Sequence, residues 1–514
     1  MMKLNYKRTL LVGFAFFLIC TFWQAYDTII PKILTDKFGL SQSVSGAVMA
    51  VDNLLALFLL PWFGSISDRT ATRFGKRKPF VLIGTIIACT ALICLSFADN
   101  MQLNNLAKIS EDSPASLEAL YDAEPAIKIN IPDSAEKKTL NELMSKEEYI
   151  ALFETKDTNP ELYKENYTKY IVPARQVYAA RVTADNPTPL VCFAGILLIL
   201  LVAMGTFRSP AVALMPDVTP KPLRSKANSI INLMGAVGGI LVLVLGMVFG
   251  TGKSENLLMN YTSFFAVVAG IMIAALAVFM IFVKEPEWSC EMLEASRLLE
   301  GESEEDTVGD RKLSKSEKIS LALILASVVL WFMGYNAVTS KYSVYAGRVL
   351  ALDYNMTLTI AQAAAIISYI PIGIIASKVG RKKSILAGVL ILGSVFALAG
   401  FMRAGSSIVI MNIIFTLAGV GWATISVNSY PMVVELSKGS NVGKYTGFYY
   451  TASMAAQMIT PVLSGIFLDI KFETLFPYAA IFVFGSFVTM LFVKHGDSKP
   501  TKKISVEALG GAED

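Results

Sequence analysis

The chain has 514 residues, of which 54% are hydrophobic and 17% charged, with a formal net charge of +4. An average soluble domain carries about 25% charged residues, so this composition excludes a water-soluble globular protein. The single histidine, His495, excludes His-based metal sites, Ser-His-Asp or Cys-His catalysis and a histidine proton relay in the membrane, and the five cysteines show no metal or redox spacing.

A spanning helix needs about 20 mostly apolar residues, because roughly 30 Å of hydrocarbon offers no partner to backbone N–H and C=O groups. That length predicts twelve helices, near 10–35, 43–64, 79–98, 188–215, 227–250, 261–283, 319–341, 356–377, 384–402, 407–433, 445–468 and 474–493. The first run is too long for the apolar part of a signal peptide and no small-residue cleavage site follows it, so it reads as a retained helix 1. Orientation follows from Lys and Arg in short loops. Alternate loops are basic: Lys3, Lys7 and Arg8 precede helix 1, Arg69 to Lys78 follow helix 2, Lys221, Arg224 and Lys226 follow helix 4, Lys378 to Lys383 follow helix 8, Lys438 and Lys444 follow helix 10, and Lys494 follows helix 12. Both termini are therefore expected in the cytoplasm, in a multi-pass protein of the plasma membrane whose partners include the lipid bilayer.

The basic loop after helix 2, "SDRTATRFGKRKPFVLIG", has a second copy in "SKVGRKKSILAG", with Arg73 matching Lys378 at an offset of 305 positions. A second pair, "MPDVTPKPLRSKANSIINLMG" and "MVVELSKGSNVGKYTGFYYTAS", matches Asp217 to Glu435 at an offset of 218. The difference, 87, is close to the length of the polar stretch from Asp99 to Pro187, so without that stretch the two halves run in step. The expected organisation is helices 1–3 in residues 1–98, a polar, net acidic extracytoplasmic insertion in 99–187, helices 4–6 in 188–284, a Glu-rich cytoplasmic linker in 285–317, a second six-helix half in 318–494 and a cytoplasmic tail in 495–514. Two parallel six-helix halves describe the major facilitator architecture, an all-α polytopic fold in which one half rocks against the other. Within the insertion, "KKTLNELMSKEEYIALFE" has helical spacing. The insertion reads as a decoration of the outer face or as a lid over the outer entrance.

The basic loop is no nucleic-acid patch, being bounded by two spanning helices without room for a binding domain. It is no phosphate cradle either, having one glycine and no preceding strand. Positive-inside orientation accounts for its charge but not for Asp68, Gly75 or the second copy. Asp68 at the end of helix 2 and Gly75 in a tight turn read as parts of a cytoplasmic gate, with Arg69, Arg73 and Arg77. The charges are expected to pair with the partner half when the cytoplasmic side is shut, with Asp217 and Glu435, at the inner ends of helices 4 and 10, as the natural acceptors and Arg224 and Lys444 nearby.

A charge at the bilayer centre costs roughly 2.5–3.5 kcal/mol on insertion scales, which makes each one a functional candidate. Asp27 in "FWQAYDTIIP", Asp52 in "MAVDNLLALF" and Arg208 in "GTFRSPAVALMPD" stand out. Asp27 and Asp52 are candidates for a cation-coupled carboxylate; Arg208 either holds an acid or bonds substrate hydroxyls, and a structural ion pair is the competing explanation. Flat apolar faces and amides suit a neutral polyol, which adds Trp23 and Gln24 on helix 1, Asn232 on helix 5, Tyr335 and Asn336 on helix 7, Gln362 and Tyr369 on helix 8, Trp422 and Asn428 on helix 10 and Gln457 on helix 11.

The segment "GSISDRTATRFGKRKPFVLIG" is similar to the helix 2–3 loop of the glycoside-pentoside-hexuronide cation symporters, especially the sucrose carriers and their animal relatives. "RSPAVALMPDV", "YAGRVL", "GVGWATISVNSYPMV" and "GFYYTASMAAQM" resemble that family's helix 4, helix 7 exit, helix 10 and helix 11, with Gln457 on the glutamine of its Pro-Gln pair. The resemblance implies secondary active uptake of a disaccharide or related glycoside, without an enzymatic step or a cofactor, by a monomer. The chain departs from the family where the melibiose-type carriers place two helix 2 acids: Ala56 and Leu60 stand there, which favours H+ over Na+ as the coupling cation. Tyr342 and Val344 replace acids of the sucrose carriers, and Val212 stands where they have an arginine, one turn from Arg208. The competing function is a facilitator or exporter of another small solute.

Overall fold

A computed structural model describes residues 4–123, 128–130, 137–220, 224–300, 313–436 and 442–497. Its long helices are α1 (Tyr6–Lys32), α2 (Gln42–Arg69), α3 (Lys78–Asn105), α4 (Thr188–Val218), α5 (Arg224–Phe249), α6 (Thr262–Phe282), α7 (Lys315–Tyr345), α8 (Tyr354–Val379), α9 (Arg381–Ala399), α10 (Ile408–Glu435), α11 (Val442–Ile470) and α12 (Leu475–Leu491). Among the described residues, eleven helices are long and apolar enough to cross a membrane; α8, at the eighth expected run, is not counted with them. Side chains of Arg224 and Lys444, and the tail beyond Asp497, lie outside the described residues.

Each half closes its own apolar core, one built from α1–α6 and one from α7–α12. Within the halves α1 packs on α5 and α3 on α4, as α7 packs on α11 and α9 on α10; between them α2 packs on α11 and α5 on α8. Helix starts follow their capping side chains: Asn5 accepts from Arg8 N, Ser41 from Val44 N and Ser314 from Glu317 N, each covering a backbone donor that the first turn leaves open. The chain leaves α1 through a π-turn at Ile33–Lys37 and α7 through another at Ala346–Leu350, at matching places in the two halves.

The insertion has a core of its own, in which Leu117, Leu120, Tyr149, Tyr163 and Tyr167 pack with Leu257 and Leu258 from the α5–α6 connection. It begins later than expected, because α3 runs on to Asn105. The stretch with helical spacing begins as a strand: Lys137–Thr139 pairs antiparallel with Lys128–Asn130, and helices follow at Leu140–Leu143 and Lys146–Ala151. The break falls at Ser145, whose capping box with Glu148 starts a new helix instead of continuing the old one. Part of the linker is a helix, Glu285–Glu300.

The hydrogen bonds described between the halves lie toward the insertion. Gln42 N and Ser43 N, at the start of α2, donate to Asp469 of α11 at 2.6 and 2.9 Å, and Lys341 Nζ of α7 donates to Gln42 O at 2.7 Å. Arg348 pairs with Asp36 at 2.6 Å, Thr251 bonds Tyr354 and Asn355, and Gln362 donates to Gln24. Glycine lets α2 and α11 touch backbone to backbone here. A Cβ on Gly46 would meet Pro461 O at 1.9 Å, and one on Gly465 would meet Gln42 O at 2.3 Å. The molecule is thus sealed on the insertion face. Gly46→Val and Gly465→Val are each expected to wedge this face apart. Spin labels on the insertion-side ends of α2 and α11 would report a longer distance than in the parent; an unchanged distance distribution would contradict the seal.

Candidate functional site

Below the seal, a cavity of about 160 Å³ lies between the halves. It is lined by Trp23 and Asp27 of α1, Met49, Asp52 and Asn53 of α2, Arg208 of α4, Asn336, Thr339 and Ser340 of α7, and Gln457 and Pro461 of α11. A small annexe adds Ala56, Leu59 and Leu60 of α2 with Leu201 and Gly205 of α4. Helical spacing explains the clusters: Trp23 and Asp27 are four residues apart, as are Asn336 and Ser340, so each pair points from one face.

The three membrane charges expected from the sequence meet here. Arg208 stands within electrostatic reach of both Asp27 and Asp52, yet among the described residues no closed ion pair joins it to either. Its guanidinium lies 5.3 Å from the centre of the Trp23 ring, a cation–π contact that holds it over the cavity. Asp52 accepts a 2.8 Å hydrogen bond from Asn53 Nδ2. The buried donors Trp23 Nε1 and Asn336 Nδ2 have no protein partner. A buried N–H without an acceptor costs about 1–3 kcal/mol, and both donors belong to residues that line the cavity.

Of the residues expected to bind substrate, the cavity takes Trp23, Asp27, Arg208, Asn336 and Gln457 and leaves the others aside. Gln24 and Gln362 bond each other across the halves at 2.5 Å. Tyr335 and Trp422 stack face to face with centroids 3.6 Å apart, packed against the second half's core. Asn428 is buried and donates to Thr424 O of its own helix, while Asn232 and Tyr369 are exposed and line neither the cavity nor its annexe. Sequence reasoning missed Met49, Asn53, Thr339, Ser340 and Pro461. Met49 precedes Asp52 by three residues, Thr339 and Ser340 follow Asn336 by three and four, and Pro461 follows Gln457 by four, so helical spacing from the chosen residues reaches four of the five; Asn53 adjoins Asp52.

The basic loop is built differently from the expected gate. Gly75, at φ +110°, makes the turn, and a Cβ there would meet the Glu285 carboxylate at 2.3 Å. That carboxylate, from the linker helix, accepts from Lys76 N, Arg77 N and Lys78 N at 2.8–2.9 Å and so caps α3. Arg77 reaches Asp217 at 2.8 Å and also bonds Asp68 and Ser67. Burial opposes its charge, but the hydrogen bonds and charges of Asp217 and Asp68 outweigh that and raise its pKa above the ordinary arginine value. Lys76 also pairs with Asp217, at 3.2 Å, and in the second copy Arg381 pairs with Glu435 at 3.1 Å. In this state Asp217 and Glu435 each accept from an arginine of their own half. A guanidinium this buried needs acceptors in place, whichever way the halves lean. Arg69 and Arg73 are exposed, with Arg73 resting on its neighbour Phe74.

A family model described as Major Facilitator Superfamily matches residues 177–368 and 324–510, and one described as MFS/sugar transport protein matches residues 12–107. Over 64 residues the chain is 40% identical to a protein named glycoside/cation symporter YagG of Escherichia coli, covering 12% of this chain and 14% of that protein. Over another 64-residue alignment it is 36% identical to the lactose permease of Lactobacillus helveticus, covering 11% and 10%. The matches thus span a small fraction of those relatives' length. Among solved structures, the inward-open xylose transporter XylE from E. coli aligns over 98% of this chain and 100% of its own, at 14% identity and a TM-score of 0.57. A POT family transporter in complex with 5-aminolevulinic acid aligns over 95% of each chain, at 9% identity and a TM-score of 0.57. At such identities the likeness is one of fold.

Arg77→Ala is expected to destabilise the protein by about 2–4 kcal/mol, because it leaves the half-buried Asp217 without its main partner. The Asp68 side chain is 60% exposed, so Asp68→Ala is expected to stay within about 1 kcal/mol. Thermal unfolding in detergent ranks the two, and equal losses would contradict Arg77 as the centre of the cluster.

Proposed function

This chain belongs to the Major Facilitator Superfamily, a multi-pass membrane transporter and not an enzyme, and we propose that it is a secondary active symporter of a disaccharide or other glycoside, coupled to protons and working by alternating access. The cavity carries this reading: it lies between the halves, both halves line it, and it presents unpartnered donors beside two acids and an arginine. The names of the local relatives, a glycoside/cation symporter and a lactose permease, support a sugar and a coupling cation and favour the glycoside-pentoside-hexuronide family. With twelve spanning helices and the basic loops in the cytoplasm, the sealed insertion face is the outer one and this is an inward-facing state.

In the proposed cycle, Trp23 Nε1 and Asn336 Nδ2 donate to substrate hydroxyls, while Gln457, Thr339, Ser340 and Asn53 supply further polar contacts. Arg208 divides its charge between substrate and acids. An acid that it holds stays ionised; one that it releases into a low-dielectric cavity takes up a proton. Substrate binding and protonation are thereby linked through one guanidinium. In the annexe Ala56 and Leu60 stand where melibiose-type carriers place two acids, which leaves Asp52 as its carboxylate and favours the proton. The charge-lined cavity weighs against an exporter of amphipathic solutes.

The test is uptake in reconstituted vesicles under an imposed pH or sodium gradient, across a panel of labelled glycosides. A pH gradient is expected to drive accumulation. Asp27→Asn or Asp52→Asn, whichever removes the coupling acid, is expected to reduce accumulation at least about tenfold while exchange persists, and Arg208→Ala to abolish both. Accumulation driven by sodium alone would overturn proton coupling; normal accumulation in both acid variants would discard them as the coupling groups.

A further inference from the structure

The insertion is bolted to the first half and also meets the second, through a buried contact. Gln102 Nε2 of α3 donates to Lys37 O and to Thr183 Oγ1 of the insertion helix Val172–Asp185, both at 2.9 Å. Gly39, at φ +65°, lets the chain after α1 run against that same helix: a Cβ there would meet Ala180 N at 2.2 Å and Gln176 O at 2.6 Å. The insertion's π-turn at Tyr167–Ile171 packs on the π-turn that ends α7.

Across that contact lies Arg348. Its Nη2 donates to Asp36 of the first half at 2.6 Å and its Nη1 to Gln176 Oε1 of the insertion at 2.7 Å. Gln176 in turn directs its Nε2 at Leu40 O, 3.4 Å away. Arg348 and Asp36 are both buried, so the insertion helps to satisfy a charge that leaves both partners together if the second half tilts away. A buried guanidinium holds its acceptors more tightly than a solvated one, since water is not there to replace them.

We propose that the insertion is a strap on the outer gate, in which Gln176 shares Arg348 with Asp36 and so sets how often the sealed face opens. Gln176 is a positioning residue: it lies away from the cavity and acts through Arg348. The proposal rests on the alternating-access reading. It makes the insertion a working part of the transport cycle and gives the side chain through which it acts.

The test places a reporter in the seal. Ser45 of α2 is fully buried, so a Ser45→Cys variant, with the five native cysteines replaced, reacts with an impermeant maleimide on the insertion face only when that face opens. Gln176→Ala in this background is expected to raise the labelling rate about tenfold, the worth of one hydrogen bond to a buried charge. Gln176→Glu, which keeps an acceptor for Arg348, is expected to restore the slow rate. Asp469→Ala, which uncaps α2, serves as an independent opener. If Asp469→Ala labels quickly and Gln176→Ala labels like the parent, the strap is overturned and alternating access stands. Fast labelling in Gln176→Glu as well would also overturn it, because packing rather than the acceptor would then be responsible. If no variant labels, the outer face does not open, and the alternating-access reading falls together with the strap.

Discussion

Asp469 holds the start of α2 by its bare backbone donors, and the rest of the arrangement depends on that grip. Inside a bilayer the first turn of a helix has no water to turn to, so a carboxylate from the other half that covers Gln42 N and Ser43 N replaces solvent outright. Lys341 closes the clamp on Gln42 O, and glycines 46 and 465 remove the side chains that would hold the two helices apart. With the halves pinned at this end, the cavity lies between them beneath the contact. The polar groups that line it come from α1, α2, α4, α7 and α11, four of which carry the contacts of the pinned end or run directly into them.

The fold was largely legible in the sequence, because apolar length and loop charge are properties of a stretch and survive without knowledge of its neighbours. The duplicated loop and the in-step offsets gave the two halves for the same reason. Side-chain direction was less legible. Trp23, Asp27, Asp52, Arg208, Asn336 and Gln457 converge, whereas Tyr335 and Trp422 stack on each other and Gln24 meets Gln362. An aromatic ring or an amide suits a sugar and a helix interface equally well, and one sequence does not say which face of a helix looks inward.

The charges that sequence reading passed over repeat this lesson. Lys32, Lys37, Asp99 and Lys341 all lie within spanning helices and are all buried. Lys37 and Asp99 pair at 2.6 Å with neither side chain exposed, while Lys32 and Lys341 donate to backbone carbonyls. The rule that a charge in an apolar run is a candidate covers them as it covers Asp27; they sit near the ends of their runs, where they read as boundary residues. Glu285 is a different case. It reaches back to a loop more than 200 residues earlier in the chain, and no local pattern announces a carboxylate that caps so distant a helix.

The two π-turns that close α1 and α7 bear on how the molecule arose. Ile33–Lys37 superposes in sequence on Ala346–Leu350, with Asp36 facing Val349 and Arg348 facing Thr35 in that register. The backbone irregularity is common to both copies, but the acid belongs to one and the base to the other. A half paired with a copy of itself would set Asp36 against Thr35, or Arg348 against Val349, and close no ion pair. The ion pair at this turn therefore needs one copy of each half, an asymmetry of assembly in a scaffold whose backbone repeats.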